Sequence, residues 1–380
     1  MSHTRICSHP FAAQFAVVML MVGCATNVFV VTAAADADIS QIQASAKHGN
    51  VREQIALADA YFSGHGVKQD LKMAAFWYEK AAGRGDPIAQ NEIGYLYQVG
   101  LGVRADETRA VHWFQLAAAG GFLDAKVNLG VAYMWGAGVP KDPNAAVQLI
   151  REAAEKGSDV GATYLGDIYY FGVGVTKDEA AAKPWYERGA KLHNRLAAFR
   201  LGGMILAQKD HPQDMKRAVT LYREAASGGF VPAMHALGLL LVNHPELNAT
   251  NTDEPISLLS RSADAGTWRS SIVLGVLSRD GKMVPQDDRS AYFHFQVAIR
   301  QGGDTARDLL NKDLNLLSAK LDAHQRHAID QEVDAWMQKH HVNLEVIYSN
   351  GDHLSPFSGF GLSPAPGNAH AAALVPINPS

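Results

Sequence analysis

Apolar residues recur at helical spacing through residues 52–303, and glycine-rich turns interrupt them at short, regular intervals. Residues 89–121 show the unit. Ala89, Ile93, Leu96 and Tyr97 fall on one helical face. Gly100-Leu101-Gly102-Val103 then breaks the helix, because paired glycines reach backbone angles closed to other residues. Asp106 stands where a carboxylate accepts from the free amides of a new helical turn. Ala110, Trp113, Phe114, Ala117 and Ala118 form the next apolar stripe, and Gly121 ends it. The pattern predicts two helices per unit.

The unit repeats every 36 residues. A glycine column runs through Gly94, Gly130, Gly166, Gly202 and Gly238, with Gly275 one residue out of step. Asp70, Asp106, Asp142, Asp178 and Asp214 keep the same register, with Asp287 in phase after the insertion. So do Tyr61, Tyr97, Tyr133 and Tyr169, the mostly aromatic column Trp77, Trp113, Leu149, Trp185 and Leu221, and the alanines Ala74, Ala110, Ala146, Ala182, Ala218 and Ala291. Small residues at fixed sites let helix backbones approach, and large side chains fill the space beside them. No helical pair can bury its own stripe, so neighbours must stack.

The run Ala89-x-x-x-Ile93-Gly94-x-x-Tyr97-x-x-Gly100-x-Gly102-Val103-x-x-Asp106, continued by Ala110-x-x-Trp113-Phe114-x-x-Ala117-Ala118, resembles the Sel1-like repeat. The resemblance covers about seven units. It implies an all-α, right-handed α/α superhelical solenoid related to tetratricopeptide arrays, with helical caps. It also implies a protein-binding scaffold, commonly secreted or periplasmic in bacteria and often an envelope regulator or assembly adaptor. A cysteine-rich branch of the family is linked to β-lactam binding or hydrolysis, so a hydrolase is the first alternative. A structural envelope component is the second. That branch pairs cysteines within each repeat, and Cys7 and Cys24 are the only two here.

The flanks read differently. Residues 1–35 have the layout of a secretory signal peptide: Arg5 in a short start without acids, a long apolar stretch from Phe11 to Val31, then Ala33-Ala34-Ala35 as the cleavage region. An uncleaved membrane anchor and a lipoprotein signal at Cys24 are the alternatives. Residues 36–51 read as an N-terminal capping helix, 52–303 as the solenoid, 304–342 as C-terminal capping helices and 343–380 as a disordered tail. The glycine loops are regular at Gly64-His65-Gly66 through Gly172-Val173-Gly174, but polar sequences replace them after Gln208 and after Asn243.

Composition narrows the function. Hydrophobic residues make up 47% of the chain, charged residues 19%, and the formal charge is −4 with no basic block. Nucleic acid and a polybasic membrane patch are therefore not expected as partners. The sixteen histidines are scattered, and only His324 and His327 share a helical face, without a metal signature. No serine or thiol nucleophile motif is present, and the Gly-x-Gly elements are helix-to-helix turns. The expectation is a non-enzyme without cofactor or metal. If the first helix of each unit lines the concave side, the partner-binding groove consists of Asn91, Tyr95, Gln98, Val127, Val131, Met134, Thr163, Asp167, Tyr170, Phe199, Leu206, His235 and Leu239. Lacking Lys and Arg, that groove should take an apolar or amphipathic protein segment.

Overall fold

The computed structural model describes residues 39–208, 212–248 and 251–340. The signal segment, the predicted cleavage region and the tail beyond residue 340 lie outside the described residues. Those described form sixteen α-helices and no strand, in two compact units.

The first unit, residues 39–194, holds α1 (Ile39–Lys47), α2 (Val51–Ser63), α3 (Leu71–Ala82), α4 (Pro87–Val99), α5 (Glu107–Ala119), α6 (Leu123–Trp135), α7 (Pro143–Glu155), α8 (Asp159–Phe171) and α9 (Glu179–Lys191). Each helix packs on the one before and the one after, as in a solenoid, and α6 also touches α8. The second unit, residues 195–340, continues with α10 (Arg195–Gln208), α11 (Pro212–Ser227), α12 (Val231–Asn243), a short 3-10 turn at Pro245–Asn248, α13 (Glu254–Asp264), α14 (Trp268–Asp280), α15 (Asp288–Lys320) and α16 (Ala323–Lys339).

The aspartate column caps the second helices. The carboxylates of Asp70, Asp106, Asp142, Asp178 and Asp287 accept from amides in the first turns of α3, α5, α7, α9 and α15. The backbone amides of the first four donate to the carbonyls of Tyr61, Tyr97, Tyr133 and Tyr169, which closes each loop. Asp214 departs from this role. α11 starts two residues earlier, at Pro212, so Asp214 lies inside its first turn.

The glycine column seats one large side chain per repeat. A Cβ at Gly94 would lie 2.8 Å from the Phe114 ring, at Gly130 2.7 Å from Ile150, at Gly166 2.6 Å from Tyr186, at Gly202 2.6 Å from Tyr222 and at Gly238 2.7 Å from Leu259; at Gly275 it would collide with Phe295. The seated residue is thus one position beyond the expected Trp77 to Leu221 column, whose members after Trp77 are only half-buried. A second glycine joins repeat to repeat. Side chains at Gly102 and Gly138 would strike the backbones of Leu71 and Glu107, in the first turn of the second helix one repeat back.

Most helix-ending glycines take the left-handed turn, including Gly85, Gly121 and Gly157. At the bend in α15 it is Gly303 (φ 59°, ψ −141°) that departs from helix, rather than Gly302. Met283 occupies the position of a second loop glycine at φ 62° and is exposed. An L-residue there costs about 1–2 kcal/mol. Met283→Gly should therefore raise stability by roughly 1 kcal/mol after the added freedom of the unfolded chain is counted, as read by urea denaturation.

Candidate partner-binding face

The thirteen residues expected to line a groove divide between the two units. In the first unit Asn91, Tyr95, Gln98, Val127, Val131, Met134, Thr163 and Asp167 are all buried, and Tyr170 is half-buried. In the second, Phe199, Leu206, His235 and Leu239 are half-buried. The open face expected along α4, α6 and α8 is therefore an enclosed one. These first helices are buried nearly all round. Asn128 of α6 donates to Asn91 of α4 across 2.8 Å. Phe199 stacks at 5.4 Å on Tyr222 and meets Phe230 edge-on at 5.5 Å.

Asp167 is fully enclosed and accepts from the Tyr186 hydroxyl at 2.6 Å. Asp59, one turn position equivalent in the first repeat, accepts likewise from Tyr78. In both repeats the acid follows the small seat residue (Ala58, Gly166), and the seated side chain is a tyrosine. Where the seated residue is Phe114 or Ile150, the corresponding position is Tyr95 or Val131. The pairing follows the rule that a buried carboxyl needs a donor.

The acids inside the first helices were not foreseen as a group. Glu92 is 7% exposed, and burial pushes its carboxyl up to about 8; Asp59 and Asp124 add to this and the Asn91 amide opposes it. Burial likewise raises Asp124 to about 6, against its hydrogen bond from Ser158. Asp59 is raised by burial, partly offset by Tyr78. Glu92 and Asp124 are each the single acid of α4 and α6, which was the signal in the sequence.

The second unit holds half-buried imidazoles instead. His235 Nδ1 lies 2.8 Å from Ser270 Oγ, which donates to Ser262 at 3.0 Å. Both serines are fully enclosed, so the contact is a packing element. Burial lowers His235 and His294 to about 4 each, with Arg269 adding to the effect at His235. Their folded values lie below the unfolded 6.5, so the unfolded chain takes up protons first and stability falls as pH drops from 6.5 toward 4. Hydrogen exchange should show the second unit losing protection at pH 4.5 relative to pH 7, and His235→Gln with His294→Gln should shrink that loss.

His324 and His327 are both exposed on α16, and His327 Nε2 faces Gln331 at 3.1 Å. No cluster of three His, Cys, Asp or Glu suited to a metal ion occurs among the described residues, and none of their helices is long and apolar enough to cross a membrane.

Paired helices stacked in series, joined by capped loops and glycine seats, define an α/α-repeat protein. The Sel1 repeat model matches residues 54–86, 87–122, 123–158, 160–194, 195–230 and 271–303, more than half of the chain, and the chain belongs to the Sel1 repeat family. Proteins of this class are typically non-catalytic scaffolds for protein–protein interaction. The matched spans leave out residues 231–270, where the polar loop replaces the glycine turn. A Sel1 repeat protein from Oxalobacter formigenes is 32% identical, with a TM-score of 0.50 over 57% of this chain and 89% of that one. A protective antigen of uropathogenic Escherichia coli described as displaying an SLR fold is 23% identical, covering 80% and 72% of the two chains with a TM-score of 0.43. A putative sel1 repeat protein from Klebsiella pneumoniae subsp. pneumoniae is also 23% identical, covering 53% and 98% at 0.38. No curated protein matches this chain.

Proposed function

We propose that this chain is an exported scaffold that holds a protein partner through an apolar or amphipathic segment, in an envelope regulatory or assembly role. The observation that supports this best is the tying of one repeat to the next. Gln54 and Gln90 donate to the Ala46 and Ala82 carbonyls of the preceding helix at 3.0 and 3.2 Å, Arg188 reaches the Glu155 carbonyl at 2.8 Å, and Asn128 bonds Asn91. A stack fixed in this way is ordered before it meets a partner, so the partner gains affinity without the cost of ordering the scaffold. Export rests on the layout of residues 1–35, which predicts a mature chain beginning near Asp36.

The reading is tested in intact cells with a photocrosslinking amino acid at Tyr170, Leu206 or Leu239, and with N-terminal sequencing of the chain recovered outside the cytoplasm. The expected result is a discrete adduct from at least one of these positions and an amino terminus between residues 34 and 36. Failure of every position to give a discrete adduct would sink the scaffold reading. A chain found only in the cytoplasm would sink the exported one.

A further inference from the structure

The bend at Gly303 divides α15 into two arms, which enclose a cleft of about 460 Å³ between them. On both arms the lining residues recur at helical spacing, from Tyr292 to Arg300 before the bend and from Arg307 to Ser318 after it, so one face of each arm forms a wall. The bend itself needs glycine, the residue that readily takes a φ of 59°. No carboxylate lines the cleft, whereas Arg300 and Arg307 line it on either side of the bend. Their partners stand outside the lining. Asp334 meets Arg300 at 2.9 Å and Asp304 meets Arg307 at 2.7 Å, both in exposed bridges. Exposed pairs of this kind hold weakly, and each occupies one terminal nitrogen of a guanidinium that carries five N–H donors. Both forks are therefore open to a further acceptor.

The walls also hold polar groups that the fold leaves idle. Tyr292 lines the cleft and is only 6% exposed, yet no described residue bonds its hydroxyl. A phenol enclosed to that degree ordinarily has a hydrogen-bond partner. The side chains of Gln296, Asn311 and Asn315 are likewise unbonded among the described residues. Each of these carboxamides sets a donor beside an acceptor, the same pair that a peptide group presents. Ile299 and Leu314 add apolar surface to the lining.

We propose that this cleft binds a short, extended acidic peptide segment of a partner, with its carboxylates on Arg300 and Arg307 and its backbone amides against Gln296, Asn311 and Asn315. The wall from Tyr292 to Arg300 rises about 12 Å, and an extended chain advances about 3.3 Å per residue, so about four residues fit. A guanidinium takes a carboxylate through two parallel bonds, and the incoming carboxylates compete with Asp304 and Asp334 for forks that those exposed acids hold loosely. An apolar side chain of the segment lies on Ile299 and Leu314, a contact that an acidic sugar does not offer. The residues concerned are not those that test the scaffold reading, so this site stands or falls separately from it.

The test uses the full chain and two fluorescein-labelled peptides read by anisotropy: Gly-Gly-Leu-Gly-Glu-Glu with a free carboxyl terminus, and Gly-Gly-Leu-Gly-Gln-Gln with an amidated one. The acidic peptide should bind roughly tenfold tighter than the neutral one, the factor expected of one charge-assisted bond. Arg307→Gln, with its fold checked by circular dichroism, should abolish most of that preference. Lys312→Gln removes the same charge from an exposed position on the same arm, outside the lining, and should leave the preference unchanged. Asn311→Leu keeps the bulk but loses the amide, and should weaken the acidic peptide roughly fivefold. Equal binding of the two peptides, or the full preference retained by Arg307→Gln, overturns the proposal. So does an equal effect of Lys312→Gln, which would reduce the preference to net charge. Undiminished binding by Asn311→Leu, or displacement of the peptide by glutarate or digalacturonate at the peptide's own concentration, overturns the peptide reading in favour of a small acid or an acidic sugar. Absence of the crosslinked adduct of the previous section bears on the scaffold reading alone.

Discussion

Gly166→Ala should destabilise the protein by about 3 kcal/mol in urea denaturation followed by tryptophan fluorescence, whereas Gly203→Ala should cost nothing. At Gly166 the new methyl would lie 2.6 Å from two atoms of the Tyr186 ring, closer than a methyl and a ring can approach. Tyr186 is fully enclosed, and its hydroxyl is held 2.6 Å from Asp167, so the ring is fixed at its far end and cannot slide away. Forcing it aside strains the packing by about 1–3 kcal/mol, and disturbing the hydroxyl deprives a buried carboxyl of its donor at a further cost of about 1–3 kcal/mol. Alanine's better helix propensity returns up to about 1 kcal/mol. At Gly203 the nearest obstacle is the Tyr222 hydroxyl at 3.5 Å, an ordinary contact, so only the propensity gain remains. Equal losses at the two sites would show that the seat is not what the glycine column provides.

Glu92→Gln should flatten the pH dependence of the first unit. The carboxyl sits near 8 in the fold against an ordinary 4.5. Between these values the folded chain binds the extra proton, so its stability falls as pH rises, by up to about 1.4 kcal/mol per pH unit. The loss begins above 4.5 and is complete above 8. Glutamine stays neutral throughout. The variant should therefore match the native protein at pH 4.5 and exceed it by on the order of 4 kcal/mol at pH 8. Thermal or urea melts at the two pH values decide this, and a constant difference between them would assign the effect to packing. Asp124, raised to about 6, adds a smaller contribution of the same sign. The second unit has the opposite preference, because His235 and His294 weaken it in acid. Hydrogen exchange at pH 4.5 and pH 8 should accordingly find different halves of the chain loosened.

The helical pairs and most caps were legible because each follows from local rules that repeat in register. A carboxylate one residue before a helix is placed to accept from its first free amides, and Asp70, Asp106, Asp142 and Asp178 all do so. The pattern faltered where two adjacent residues are both large and apolar. Trp113 and Phe114 differ by a single step around the helix, and periodicity alone does not say that Phe114 takes the seat on Gly94. Asp214 was misplaced because Pro212 starts α11 early. The groove residues were chosen by helical phase, which gives direction but not what stands opposite. Asn91 does face across α4, but what it meets is Asn128. The acids Asp59, Glu92 and Asp124 were harder to see as a group, since they stand at different positions relative to Ala58, Gly94 and Gly130.

Gly102 and Gly138 bear on a consequence beyond stability. Each docks its repeat onto the preceding one through a residue that neighbouring copies also carry, so any intact copy in residues 52–194 presents a ready-made front and back. A lineage could add or drop one such 36-residue module there by unequal crossing-over without inventing a new interface, and the length of this part of the protein is free to evolve faster than its architecture. The span from His244 to Asp253 offers no matching front, so growth by that route is expected to stop there.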